Sequence, residues 1–293
     1  MIEYLLAGLL LVLIPTPTTR PPTRPTPVPV YFPALVNVPA WMAPPRTATP
    51  AATTTPVPDL RTRLYPATDG ALKAALQVPG SLVLPGPGEY RPCCPLRVAA
   101  GVTLDGRGAV TIQGEGLLLY QAPGATIRNL RIVDADGDAI SVNRSAGATI
   151  ERVDIGGWGD GGIDIVRTPL GSPPHVIRDS VIHDGTKGML LGHQWEPVDD
   201  SARVVLERVT FRNVRVRVPK VHRASVEMRD CLVVGWSGPR LDVQLGGHVT
   251  MTGTRWEAGQ DSQSGFYLPT GGSVSETGTT YIPFRRQQPV MEE

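Results

Sequence analysis

TIRNLRI (residues 126–132), TIERVDI (149–155), VIRDSVI (176–182), VLERVTF (205–211), EMRDCLV (227–233) and TMTGTRW (250–256) are six versions of one seven-residue pattern. Each keeps an apolar residue at its second and seventh positions. The second positions are Ile127, Ile150, Ile177, Leu206, Met228 and Met251, separated by 23, 27, 29, 22 and 23 residues. Repeats of this length, built from short β-rich runs between Gly, Asp and Asn, predict stacked coils. The fold expected is a parallel β-helix, with each strand bonded to its equivalents ~4.8 Å above and below around a continuous apolar interior. Leucine-rich repeats have a similar period, but their LxxLxL framework is absent. Between the six segments lies a second run per coil: AISV (139–142), GIDIV (162–166), GMLLG (188–192), RLDVQL (240–245) and GFYL (265–268). Each coil therefore has at least two walls.

Upstream, DGALKAALQV (69–78) carries helical spacing at Leu72, Ala75 and Leu76, with Asp69 as N-cap. This helix is expected to cover the open first coil, whose bare strand edges would otherwise pair with other chains. Composition agrees with an all-β chain of short strands and tight turns: aromatics make up 5%, with 32 Gly and 30 Pro. The net charge of +1 provides no global field for nucleic acid or an anionic membrane.

Residues 1–14 contain an apolar run from Leu5 to Ile14, too short to span a bilayer, and read as a signal peptide or short anchor. Residues 15–59 form a Pro/Thr-rich linker with an apolar stretch, YFPALVNVPAWM, at 31–42. The β-helix domain is expected over 60–282 and a solvated tail over 283–293. Cys93, Cys94 and Cys231 are too few and too irregular for a metal site or disulfide framework, and Cys231 reads as a buried thiol.

Charged residues accompany the second run. Asp138 precedes AISV, Asp164 lies in GIDIV with Asp160 four residues before it, Lys187 precedes GMLLG, and Arg217 opens RVPKVHR. Asp138, Asp164, Lys187 and Arg217 are 26, 23 and 30 residues apart, about one coil per step, which predicts a vertical line on one outer face. Asp138, Asp160 and Asp164 make a hard-oxygen set that suits Ca²⁺, and Asp136 is a candidate fourth ligand.

The chain resembles the pectate lyase family, polysaccharide lyase family 1, from about residue 68 to about 236. The strings that carry the resemblance are GVTLDGRGAVTIQGEGLLL, ATIRNLRI, DAISV, IERVDI, DGGIDIV, HDGTKGMLLGH and RVPKVHR, in the family's order and spacing. The resemblance implies a right-handed single-stranded parallel β-helix. It also implies a secreted, monomeric enzyme cleaving polygalacturonate by Ca²⁺-dependent β-elimination. Asp138, Asp160 and Asp164 match calcium ligands, Lys187 a substrate-binding lysine, and Arg217 the proposed catalytic base, the first arginine of RxPxxR. Lys187 would also stabilise the developing enolate charge. Free arginine holds its proton well above neutral pH, so such a base implies an alkaline optimum. The partner implied is the anionic polysaccharide itself, with no nucleic acid and no protein partner.

The sequence departs from the family in three places. The second arginine of RxPxxR is His222, with Arg223 one position later; HDK is stretched to HDGTK (183–187); and IDH is IER (150–152). His222, when protonated, Arg223 and Lys220 are the remaining candidates for holding substrate carboxylates. Arg240 and Asp242, one coil on, either reach a neighbouring sugar or pair with each other. Two rival readings are a β-helical hydrolase of the polygalacturonase type, which needs paired carboxylates, and a non-catalytic polysaccharide-binding β-helix. The NTD, DD, GHG and RIK segments of the former are absent in that arrangement.

Overall fold

A computed structural model describes residues 61–193 and 202–284. The expected signal segment, linker and 31–42 stretch, and nearly all of the expected tail, lie outside these. Within them the chain is an all-β, right-handed parallel β-helix with every strand pairing parallel. The second positions of the six segments stack without a slip: Ile127 on Ile150, then Ile177, Leu206, Met228 and Met251. The seventh positions do the same, from Ile132 through Ile155, Ile182, Phe211 and Val233 to Trp256. All these side chains are buried.

The two positions belong to different walls. They are five residues apart, and an alternating strand cannot turn both inward. The fourth residue of every segment resolves this by bending the chain through left-handed backbone: Asn129, Arg152, Asp179, Arg208, Asp230 and Gly253, with φ between 51° and 63°. A second left-handed column follows at Asp134, Gly157, Asp184, Asn213 and Gly235. A third contains Gln121, Arg144, Arg167, Arg223 and Leu245. Each complete coil thus has three walls. The third carries Leu117–Tyr120, Ile140–Asn143, Gly161–Val166, the end of Val181–Leu191, Lys220–His222 and Asp242–Gln244. Its inward stack runs Leu119, Val142, Ile165, Leu191, Val221, Val243.

The helix spans Asp69–Ala75 and buries Leu72 and Ala75, with Leu76 buried at its end. Its N-cap is Thr68, not Asp69: the Thr68 hydroxyl accepts from the Ala71 amide at 3.3 Å, and Asp69 sits in the first turn. At the far end Met251 stacks onto Glu276 rather than another apolar residue. There Trp236 and Trp256 meet edge to face, 5.1 Å apart. Cys231 is a buried free thiol, its pKa pushed up to about 12 by burial.

Outside the first wall the third positions form an alternating column. Asp105, Arg128, Glu151, Arg178, Glu207 and Arg229 are register partners in succession. The adjoining left-handed column alternates in antiphase, so Arg152 also bonds Glu151 (2.6 Å), and Arg208 bonds Asp179 (2.6 and 3.1 Å) as well as Glu207. Glu151 is 3% exposed. Burial alone would raise its pKa, but bonds from Arg178 and Arg152 hold it below the usual carboxylate range. Left-handed arginines cost on the order of 1 kcal/mol each in backbone energy, and these ion pairs offset it.

Replacing Glu151 with Ala leaves Arg128, Arg152 and Arg178 facing one another. The expected loss is about 2 kcal/mol by equilibrium denaturation, against about 0.5 kcal/mol for Glu207→Ala, whose carboxylate is more exposed.

Candidate functional site

The third wall positions the predicted charges, though not as one vertical line. Gly161 is the register partner of Lys187, which in turn pairs with Val216. Asp164 stands three positions further along, aligned with Ser141 below and Leu190 above. Spacing by coil length alone missed this offset because the connecting turns differ in length. Asp138 and Asp164 nevertheless converge. A β-carbon on Gly161 would lie 2.9 Å from Asp138 Oδ1 and 2.6 Å from Asp164 Oδ1. Only glycine leaves room for both carboxylates to lean over the strand, and no sequence reading had singled this residue out.

Burial raises the pKa of both acids. For Asp138 the charge of Asp160 adds to the effect. Asp164 is pushed up to about 7 by burial and then by Asp138, with Arg217 acting in the opposite direction. The Leu190 amide donates to Asp164 Oδ1 at 3.2 Å. Among the described residues Asp138 Oδ1 is buried and has no hydrogen-bond partner. Asp160 is exposed and is drawn aside by Lys187, whose ammonium pairs with its Oδ1. Asp136 is exposed in the preceding turn; the carboxylate acting on Asp138 is that of Asp160, and those acting on Asp164 are Asp138 and Asp160. No three His, Cys, Asp or Glu side chains among the described residues already form a metal-binding group. The donor set still fits a hard cation: an orphaned buried oxygen, a second carboxylate beside it, and a glycine cradle where they meet.

Beyond Asp164 the wall holds Arg217, half-buried and left-handed (φ 60°), whose carbonyl accepts from the Met189 amide at 2.8 Å. The three remaining expected carboxylate binders are placed differently from the sequence reading. Lys220 pairs with Asp242 at 3.1 Å. His222 is 2% exposed, with both ring nitrogens unpartnered among the described residues. Its pKa is pushed down to about 4, first by burial and then by the Lys220 charge, which opposes the protonated form that carboxylate binding would need. Arg223 occupies the left-handed corner that ends the wall. It lines a separate cavity of about 320 Å³ with Arg203 and Ser225. Arg240 and Asp242 do not pair with each other: Arg240 binds Glu276 (3.0 and 3.3 Å) and lies 4.3 Å from the Phe266 ring centre. The Lys220–Asp242 pair was legible in principle, because its spacing of 22 residues equals that from Leu206 to Met228.

No family model matches the chain. Over 164 residues it is 31% identical to a probable pectate lyase B of Aspergillus terreus, covering 51% of this chain and 50% of that protein. The chain thus spans about half the length of the curated relative it matches. In fold it is similar to the cedar-pollen allergen jun a 1 (TM-score 0.63, 18% identity, 80% of this chain and 83% of that one). It is also similar to a pectate lyase of Bacillus sp. N165 in complex with trigalacturonate (0.59, 14%, 80% and 87%). A third likeness is to a pectate lyase bound to hexasaccharide (0.64, 12%, 77% and 82%). The resemblance to pectate lyases therefore holds in local sequence and in fold.

Two outcomes follow from the paired carboxylates. Folded Asp164 holds its proton more tightly than the unfolded chain does. Its contribution to stability is full below the unfolded value of about 3.9 and is lost as pH rises through about 7. In chelator, the melting temperature of the wild type relative to Asp164→Asn is expected to fall from about pH 5 to about pH 8. Gly161→Ala should lower Ca²⁺ affinity at least about tenfold by calorimetry, with far-UV circular dichroism unchanged.

Proposed function

We propose that this chain is a pectate lyase that acts outside the cell, cleaving α-1,4-polygalacturonate by β-elimination to unsaturated oligogalacturonides. The observation that carries this reading is the convergence of Asp138 and Asp164 over Gly161, on the same wall as Lys187 and Arg217. The sequence likeness to a probable pectate lyase and the shared fold support it. The apolar run at Leu5–Ile14 and the Pro/Thr-rich stretch after it are the support for export.

The reaction removes the proton on the carbon bearing the uronate carboxylate, with loss of the glycosidic oxygen at the adjacent carbon. A calcium ion held by Asp138, Asp160 and Asp164 would withdraw charge from the substrate carboxylate and make that proton more acidic. Lys187 binds the carboxylate as negative charge develops on it. The ammonium now pairs with Asp160, and that exposed pair opens at little cost in water. Arg217 would accept the proton as the neutral guanidine, having first released its own proton to solvent; it stands beside Asp164 at the edge of the carboxylate cluster.

Digestion of polygalacturonate should raise the ultraviolet absorbance of an unsaturated uronate end, and chelator should abolish the signal. Arg217→Lys is expected to lose at least about a hundredfold in kcat with KM little changed. Saturated products, or a variant of full rate, would contradict the assignment.

A further inference from the structure

The sequence offers four cations beyond Arg217 for the next sugar of a polyanion, Lys220, His222, Arg223 and Arg240, and the fold withdraws all four, Arg240 by pairing it with Glu276. Lys220 and Asp242 are register partners on adjacent coils, so the backbone itself sets their pairing. Their side chains are 19% and 21% exposed, and the Gln244 amide donates to Asp242 Oδ1 at 2.6 Å, fixing the carboxylate on the lysine. His222 lies buried behind them, and Arg223 has turned the corner to another cavity. One coil further on, the backbone of Asp242 is bridged to that of Tyr267, a residue 51% exposed. Past Arg217 the wall therefore presents a neutralised ion pair and then an aromatic surface.

A second ionised carboxylate placed here would meet Asp242 in competition for Lys220, and like charges at that range repel. An ester in the same place meets no such charge, and its methyl group can lie against the tyrosine. We propose that the wall beyond Arg217 receives a methyl-esterified galacturonate next to the ionised one that reacts, and that Asp242 sets this preference. The proposal rests on the lyase reading and names its substrate class: partially esterified pectin over fully de-esterified polygalacturonate.

The test compares kcat/KM of the full chain on the two polymers, with calorimetric binding of de-esterified and partly esterified oligogalacturonates as a readout without turnover. The wild type is expected to favour the esterified substrates in both measurements. Asp242→Asn frees Lys220 and should shift the ratio toward polygalacturonate by about tenfold. Lys220→Gln leaves Asp242 unopposed and should shift it the other way. Equal wild-type preference for the two polymers overturns the proposal, as does a ratio that neither substitution moves by about twofold. If the wild type neither binds nor cleaves either polymer, the lyase reading itself is overturned, and this proposal with it.

Discussion

Three left-handed bends per coil, repeated in register, are the constraint from which the rest of this structure follows. A straight strand turns every second side chain inward, but this chain needs apolar residues at an odd spacing of five to line two walls. The bend at the fourth position changes the parity between them. Once the bends stack, the inward aliphatic residues stack too, and the interior becomes a continuous rod of Ile, Leu, Val and Met closed by a helix at one end and a tryptophan pair at the other. Burial of that rod supplies the main driving force, since the strands have few local contacts of their own.

The functional wall draws its properties from the same stacking. Asp138 and Asp164 are held over Gly161 because their strands are locked to the coils above and below by inward residues on either side, Ile140 with Ile163 and Val142 with Ile165. Burial is the larger cause of their raised pKa values, and neighbouring carboxylates add to it, Asp160 for Asp138 and Asp138 for Asp164. A flexible loop carrying the same acids would let them separate. The unrelieved charge makes the position receptive to a cation.

Much of this was legible in the sequence, because a β-helix writes its geometry as a period. The six seven-residue segments predicted their own stacking partners residue by residue, and the helix was found from Leu72, Ala75 and Leu76. Period alone could not supply the number of walls, since the left-handed bend is occupied by Arg152 and Arg208 as readily as by Asn129 or Asp179. The vertical line expected of Asp138, Asp164, Lys187 and Arg217 failed for a related reason. Coil length fixes which coil a residue occupies, whereas turn length fixes its place along the strand. The burial of His222 was out of reach in a different way, since spacing does not say which way the ring turns, whereas the Lys220–Asp242 pair stands at a spacing the repeats themselves display.

The alternating charges outside the first wall have a consequence for how this fold can change in length. Asp105, Arg128, Glu151, Arg178, Glu207 and Arg229 reverse sign at each step, and from Arg152 through Asp179 and Arg208 to Asp230 the left-handed neighbours reverse in antiphase. Excising or duplicating one coil in this region would set arginine on arginine, or glutamate on glutamate, at the new junction. Excising or duplicating two would restore every opposite pair. For insertion and deletion, the structural unit of this stretch is therefore a doublet of coils, although the strand pattern repeats in every coil.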